Sequence, residues 1–145
     1  MKNKTSWIAG ALAFGVVLVV AGCAAMQAGG GGKAAACTSA VCNVTVTVSH
    51  CSVSVDVGEL HVSRGNPKPQ IIWHLKSSDP AVAFASDGIF FKSATNGQFP
   101  DLHREGANTF RATDLNTVPG VYEYGVSVTS GGSACPKLDP IIMNE

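Results

Sequence analysis

From residue 42 onward, β-branched and aromatic residues recur at every second position, and this period of two limits what the chain can fold into. Val44, Val46 and Val48 alternate with polar residues in the first such run, and Tyr122 and Tyr124 open the last one. A period of two places successive side chains on opposite faces of a strand. No window after residue 42 keeps the helical period of 3.6. The pattern predicts an all-β fold in which short antiparallel strands form a two-sheet sandwich.

The buried positions change from even to odd numbers next to His50. Before it the valines stand at even positions, and after it Cys51, Val53 and Val55 share one face. A shift of one position reverses which face of a strand is buried, so both runs reach one core only if the chain bends between them. We predict a bend or a β-bulge near His50.

The middle of the chain combines one aromatic strand with several turn signals. Ile71, Trp73 and Leu75 share one face of a strand predicted over residues 70–76, with the indole of Trp73 filling the core. Asp87-Gly88 is typical of a hairpin turn, and Asn96-Gly97 is a second such signal. Three loops are predicted at residues 64–69, 95–105 and 114–119, which contain charged residues, glycine and proline of the kind that strands exclude.

The first 22 residues have the composition of a secretion signal. Lys2 and Lys4 precede an apolar run over residues 7–21 that contains no acidic residue, which is the order of charged and hydrophobic regions in such signals. A membrane-spanning helix needs roughly 20 apolar residues, and this run is shorter. It therefore indicates a cleaved signal peptide.

The four residues Val20-Ala21-Gly22-Cys23 resemble the lipobox of bacterial lipoproteins. The resemblance implies that Cys23 is lipidated on its thiol and becomes the first residue of the mature protein. Several acyl chains hold a protein stably on a membrane, so the lipid bilayer is a predicted partner through Cys23. Ala24 stands where an aspartate commonly retains such lipoproteins in the inner membrane. Its presence implies an outer-membrane lipoprotein that faces the periplasm of the bacterial cell envelope.

Composition divides the chain into three parts. Residues 1–22 are the predicted signal peptide, residues 23–41 are the acylated cysteine with a flexible tether of alanine and glycine, and residues 42–145 are the β-sandwich domain. The chain has 10 basic and 10 acidic residues, and two of the basic ones lie in the signal, so the mature protein has a net charge of −2. Such a domain lacks the positive charge that tracks a phosphate backbone, and we expect no nucleic-acid partner.

Four cysteines follow the lipobox: Cys37, Cys42, Cys51 and Cys135. After a secretion signal an even number of cysteines is typical of disulfides, and four allow three pairings. The favoured pairing joins Cys51 to Cys135, which ties the tail to the sandwich, and Cys37 to Cys42 at the domain entrance. The alternative is a Cys42–Cys135 bond, because Cys42 has the parity of the buried valines. The absence of a Cys-x-x-Cys pair disfavours a zinc site.

Trp73 on a central strand, followed by Gly120-Val121-Tyr122-Glu123-Tyr124, resembles the immunoglobulin-like sandwiches over residues 42–129. The resemblance implies that Trp73 is the core tryptophan and that Tyr122 is a corner tyrosine bonded to the preceding turn. Tyr124 replaces the second core cysteine of antibody domains, and Val118 replaces the usual corner aspartate. The strand pattern also resembles the cupredoxin-like sandwich. No histidine follows His103, so the ligands of a blue-copper centre are incomplete.

No set of residues has the spacing of a known catalytic centre. A Gly-x-Ser-x-Gly elbow does not occur in the sequence, and the four histidines are scattered along it. His50 adjoins Cys51, but in an oxidising compartment that cysteine is expected in a disulfide. We therefore expect no catalytic residue, no metal ligand and no cofactor.

These features predict a membrane-anchored envelope lipoprotein that serves as a non-enzymatic binding or structural module. The expected partner is an envelope protein or a cell-wall component, recognised by the three loops. The alternative is a lipoprotein of cupredoxin-like shape that binds a small ligand or a metal.

Overall fold

The structure is a computed structural model that describes residues 31–145. The predicted signal peptide, Cys23 and most of the predicted tether lie outside the described residues. Residues 31–145 contain no helix long and apolar enough to span a membrane. Their strands, in chain order, are β1 (Lys33–Cys37), β2 (Val41–Ser49), β3 (Ser52–Val55), β4 (Val57–Val62), β5 (Gln70–Ser77), β6 (Val82–Phe91), β7 (His103–Arg104), β8 (Thr109–Thr113), β9 (Gly120–Ser130), β10 (Ser133–Ala134) and β11 (Ile141–Asn144).

The strands form two sheets that pack face to face. The first sheet has the order β1-β4-β11-β9, with β6 and β10 also paired to β9, and the second has the order β3-β2-β5-β8-β7. This is the all-β two-sheet sandwich that the alternating pattern predicts. The sheets are mixed and not wholly antiparallel as predicted, because the pairs β1–β4, β4–β11 and β2–β5 are parallel. Parallel neighbours need a crossover: the chain leaves β2 through β3, enters the first sheet as β4 and returns to the second as β5.

Trp73 occupies the centre of the core, as predicted. Its side chain is fully buried, and the strand register places it between Val44 of β2 and Phe110 of β8. The indole meets the ring of Tyr124 edge-on, with ring centroids 5.5 Å apart. Because Tyr124 lies on β9 of the other sheet, this contact joins the two sheets. An edge-to-face pair adds about 0.5–1.5 kcal/mol beyond the area it buries.

The change of parity at His50 arises from a hairpin turn, and the predicted bend or bulge is wrong. β2 and β3 are antiparallel neighbours that pair Val48 with Val53. When only two residues close a hairpin, each even-numbered residue of one strand pairs with an odd-numbered residue of the other. The buried side chains therefore have even numbers in β2 and odd numbers in β3. The two turn residues, His50 and Cys51, have φ values of +49° and +62°, as a type I′ turn requires.

Asp87-Gly88 does not turn the chain, so the predicted hairpin at this dipeptide is wrong. β6 runs through it, and the pairing of β6 with β9 shifts register between Phe84 and Ile89. The dipeptide therefore lies in a bulge, where extra residues leave the ladder. A Cβ at position 88 would lie 2.7 Å from Phe84 Cβ and 2.8 Å from Phe110 Cε2. Glycine is required here because the rings approach the backbone closely.

The folded domain begins earlier than the predicted boundary at residue 42. Lys33–Cys37, which composition assigned to the tether, form β1 at the edge of the first sheet. Alanine is a weak strand former, so local propensity does not explain this strand. It is held by parallel pairing with β4 and by a hydrogen bond of 3.0 Å from Lys33 N to Asp56 O. The tether boundary is thus corrected to a point before Lys33.

Candidate functional site

The three predicted loops lie at one end of the sandwich, which we call the apical end and define as residues 63–69, 95–102 and 114–119. These segments follow β4, precede β7 and follow β8. The predicted loop over residues 95–105 is shorter than expected, because His103–Arg104 form β7. The opposite, basal end consists of residues 50–51, 78–81 and 131–132, which follow β2, β5 and β9.

Gln98 joins two of the apical loops. Its side chain is 2 % exposed, and its Oε1 accepts hydrogen bonds from Thr117 N at 2.9 Å and Val118 N at 3.1 Å. Its Nε2 donates to Thr117 Oγ1 at 2.9 Å, and its backbone oxygen accepts from Leu115 N at 2.8 Å. Gln98 follows Asn96-Gly97, where both residues have positive φ and turn the chain. The predicted hairpin does not form there, because the flanking strands β6 and β7 belong to different sheets. One buried amide therefore satisfies the backbone of the neighbouring loop.

Asn116 joins the same loop to the third one. Its Nδ2 donates to Ser63 O at 2.8 Å and to Asn66 O at 3.1 Å. Asn66 in turn donates to the backbone oxygens of Cys37 and Ser39, at 3.0 and 2.9 Å. This chain of amides links the three loops to the Cys37–Cys42 disulfide, so the apical end is one hydrogen-bonded unit.

Tyr122 closes the loop over residues 114–119 in the way that its resemblance to a corner tyrosine implies. Its hydroxyl donates to Val118 O at 2.9 Å. Its ring packs edge-on against Phe99, with centroids 5.3 Å apart. Burial raises the pKa of the Tyr122 hydroxyl, and the nearby Asp114 carboxylate raises it further. The hydroxyl thus stays a donor at neutral pH.

Asp114 and Asn144 form a buried polar pair beneath the loops. They are 0 % and 2 % exposed, and Asn144 Nδ2 donates to Asp114 Oδ1 at 2.9 Å. The same Oδ1 accepts from Asn116 N at 2.9 Å, which is an Asx-turn. Burial raises the pKa of Asp114, and the bonds from Asn144 and Asn116 oppose that effect only in part. Sequence reasoning missed this pair, although Asp-x-Asn was a visible signal of the turn.

Exposed large apolar side chains are also found at the apical end. Val118 is 40 % exposed in the loop, Val121 is 58 % exposed at the start of β9, and Val41 is 40 % exposed at the start of β2. Val41 and Val121 alternate with buried neighbours and therefore lie on the outer faces of different sheets. Val118 gives the apical loops an exposed apolar side chain in addition to their polar amides.

A separate groove of about 420 Å³ lies towards the basal end. It separates the β5–β6 connection from the turn before β8. Both charges and apolar groups line it: Leu75, Lys76, Ser77, Asp79, Pro80, Val82, Ala83, Ala107 and Asn108. A groove of this size and mixed lining has room for a small polar ligand.

The structure joins Cys37 to Cys42 and Cys51 to Cys135, the pairing that the sequence favoured, with Cα–Cα distances of 5.6 and 5.1 Å. Cys42 and Cys135, the alternative pair, are not joined. One disulfide fastens the end of β1 to the start of β2. The other ties the His50–Cys51 turn to the segment after β10.

The histidines are separate from one another and each contacts a different neighbour. His74 bonds to Asn43 Oδ1 at 3.0 Å, His61 to Glu59 Oε1 at 3.0 Å and His103 to Asp101 O at 2.6 Å. His50 bonds to the adjacent Ser49 hydroxyl at 3.2 Å. Over residues 31–145, no three side chains of histidine, cysteine, aspartate or glutamate are placed to hold a metal ion. No protein-family model matches the chain, and no curated protein matches it either.

Proposed function

We propose that this chain is a non-enzymatic lipoprotein of the bacterial cell envelope, anchored through Cys23 to the outer membrane, whose apical end binds an envelope protein or a cell-wall component. The observation that carries the proposal is the union of three loops into one hydrogen-bonded surface through Gln98 and Asn116. Loops held by a rigid sandwich are a common recognition surface. Pre-ordered loops also lose less conformational entropy when they bind.

The direction of β1 supports this assignment of ends. β1 runs parallel to β4, and its last residue, Cys37, pairs with Val62 beside the apical loops. The chain therefore enters the domain travelling towards the apical end. An anchor on the amino-terminal side would then lie behind the domain, and the three loops would face away from the membrane.

Of the two finer resemblances, the cupredoxin-like shape is the better supported. Immunoglobulin domains are built from antiparallel sheets, whereas β2–β5 and β4–β11 are parallel here. The tyrosine corner at Tyr122 is the feature that favours the immunoglobulin-like resemblance. We propose a cupredoxin-like sandwich that has a corner tyrosine and serves in recognition.

The anchor is tested by Cys23→Ala. Without the thiol no thioether to a diacylglycerol forms, so we expect complete loss of metabolic labelling by radioactive fatty acid and accumulation of the uncleaved precursor. Cys37→Ala is the matched control, because Cys37 is bonded to Cys42 and its loss should leave labelling intact. A Cys23→Ala protein that is still labelled and processed would contradict the lipoprotein proposal.

The recognition surface is tested by photo-crosslinking in intact cells. A photoreactive residue at Val118, which is exposed in an apical loop, should give a discrete adduct with an envelope protein or a cell-wall fragment. The matched control is Ser78, exposed in the basal β5–β6 connection, from which no such adduct is expected. Equal adducts from both positions would contradict an apical site.

A second candidate function is favoured by the basal groove of about 420 Å³. In that case the lipoprotein binds a small polar ligand between the β5–β6 connection and the turn before β8. An adduct from Ser78 and none from Val118 would support this candidate over the first.

A further inference from the structure

The buried pair of Asp114 and Asn144 has an incomplete set of hydrogen bonds. Asn144 Nδ2 donates to Asp114 Oδ1, but the other oxygen of each side chain, Asp114 Oδ2 and Asn144 Oδ1, is buried without a partner within residues 31–145. An ionised carboxylate and an amide oxygen are both acceptors only. In the ionised form of Asp114, therefore, neither of these two atoms can satisfy the other.

The surroundings of Asp114 offer no compensation for a negative charge. Among the described residues no lysine, arginine or histidine forms an ion pair with it. A buried carboxylate without a cation is costly, and such a group usually takes up a proton instead. Burial raises the pKa of Asp114, in the direction that favours the neutral acid.

We propose that Asp114 is a neutral carboxylic acid in the folded domain and that its Oδ2–H donates to Oδ1 of Asn144. Acid and amide then exchange two hydrogen bonds in a closed ring, one of which is the observed bond to Asp114 Oδ1. A single proton, taken from solvent, satisfies both orphaned oxygens. Oδ1 keeps its bonds from Asn144 Nδ2 and Asn116 N.

The other titratable groups near this pair are few. Tyr122 on β9 interacts with Asp114, and the effect on Tyr122 is to raise its pKa. Asp101 accepts hydrogen bonds from the backbone N and the hydroxyl of Thr113, the residue before Asp114. Two further segments contact the pair. Asn144 is followed by the charged Glu145. Asp114 N donates to the oxygen of Pro69, and the charged residues Arg64 and Lys68 precede that proline. All three are exposed, so solvent screens their charges.

The proton has a consequence for the apical end. Asp114 begins the loop over residues 114–119 and holds Asn116 N, and Asn116 reaches the loop after β4. A pKa that is higher in the folded state than in the unfolded state gives stability that is greatest in acid and falls as the pH rises. The fall begins near the unfolded value of about 3.9 and ends above the raised value of the folded domain. The contribution of Asp114 to fastening the apical loops is therefore complete below about pH 3.9 and is lost as the pH rises through the raised pKa.

The first test is Asp114→Asn in the full chain. An asparagine keeps an oxygen for Asn144 Nδ2 and supplies a permanent N–H in place of the acid O–H. We expect the variant to lose the fall in stability with rising pH. As the pH rises above the folded pKa, the unfolding equilibrium constant of wild type should increase relative to that of the variant. The increase should be about tenfold for each unit between the folded and unfolded pKa values. Stability curves of the same shape for both proteins would overturn the proposal.

The second test measures the proton directly in the wild-type protein and does not depend on a variant that folds. The carboxyl carbon of Asp114, followed by NMR, should titrate above the ordinary range of aspartate, and the side-chain amide of Asn144 should shift with the same midpoint. Asp101 is the internal control. Partial burial raises its pKa, but hydrogen bonds from Thr113 outweigh that effect and leave the pKa lowered. An Asp114 midpoint at or below the ordinary value of aspartate would overturn the proposal. A midpoint that is lowered by added calcium or sodium would also overturn it, because a cation would then take the place of the proton.

Discussion

Replacing Cys51 and Cys135 together with alanine is expected to lower the free energy of unfolding by about 4.5 kcal/mol, because that bond closes a loop across a sequence separation of 84 residues. The bond restricts the unfolded chain more than it restricts the folded one. For a domain of this size, the loss is a large share of the total stability.

The matched control is the double replacement of Cys37 and Cys42. That pair spans a sequence separation of only 5 residues, so the same relation gives about 2 kcal/mol. Urea unfolding of both double variants and the wild type, with all other cysteines oxidised, measures the difference. Equal losses, or a larger loss for the Cys37–Cys42 variant, would contradict the explanation by loop length.

The sequence predicts those parts of the fold in which the residues that form the pattern lie close in the chain to the residue whose position they predict. Trp73 is recognisable because Ile71 and Leu75 share its face, and all three are buried in β5. Tyr122 follows the same logic, since its hydroxyl bonds to Val118 only four positions earlier. Alternation within one strand is enough to identify a buried position.

Other predictions failed because a distant strand decided the local structure. Asp87-Gly88 favours a turn when considered alone, but pairing of β6 with β9 holds it in a bulge. The alanines of β1 have weak strand propensity, and only the edge of β4 makes them a strand. At His50 the change of parity was read correctly, but a turn with two positive φ values and no glycine or asparagine was not recognised.

The apical network could not be predicted for a different reason. Gln98 and Asn116 look like ordinary loop residues, and a solvated amide has the same sequence signature as a buried one. Their acceptors and donors lie far along the chain: Thr117 is 19 positions from Gln98, and Ser63 is 53 positions from Asn116. The three loops themselves were predictable from composition, whereas their assembly at one end depends on the order of strands in the two sheets.

The order of strands also predicts that the core depends on Trp73 more than on any aliphatic neighbour. β5 is the middle strand of the second sheet, and the indole on it is covered by Val44 and Phe110 in its own sheet and by Tyr124 from the other. Its removal would leave a void that is closed off on all sides. Strands at the edge of a sheet can shift to fill a void, but a central strand is held by ladders on both sides.

We therefore expect Trp73→Ala to lower the free energy of unfolding by about 3–5 kcal/mol. Trp73→Phe should cost less, because an aromatic ring still meets Tyr124 and because Trp73 Nε1 has no hydrogen-bond partner among the described residues to lose. His74→Ala is the matched control. It lies next to Trp73 on the outer face, bonds only to Asn43 Oδ1, and should cost about 1 kcal/mol or less. Circular dichroism during urea unfolding measures all three variants. If Trp73→Ala and His74→Ala shifted the midpoint equally, the indole would not be the centre of this core.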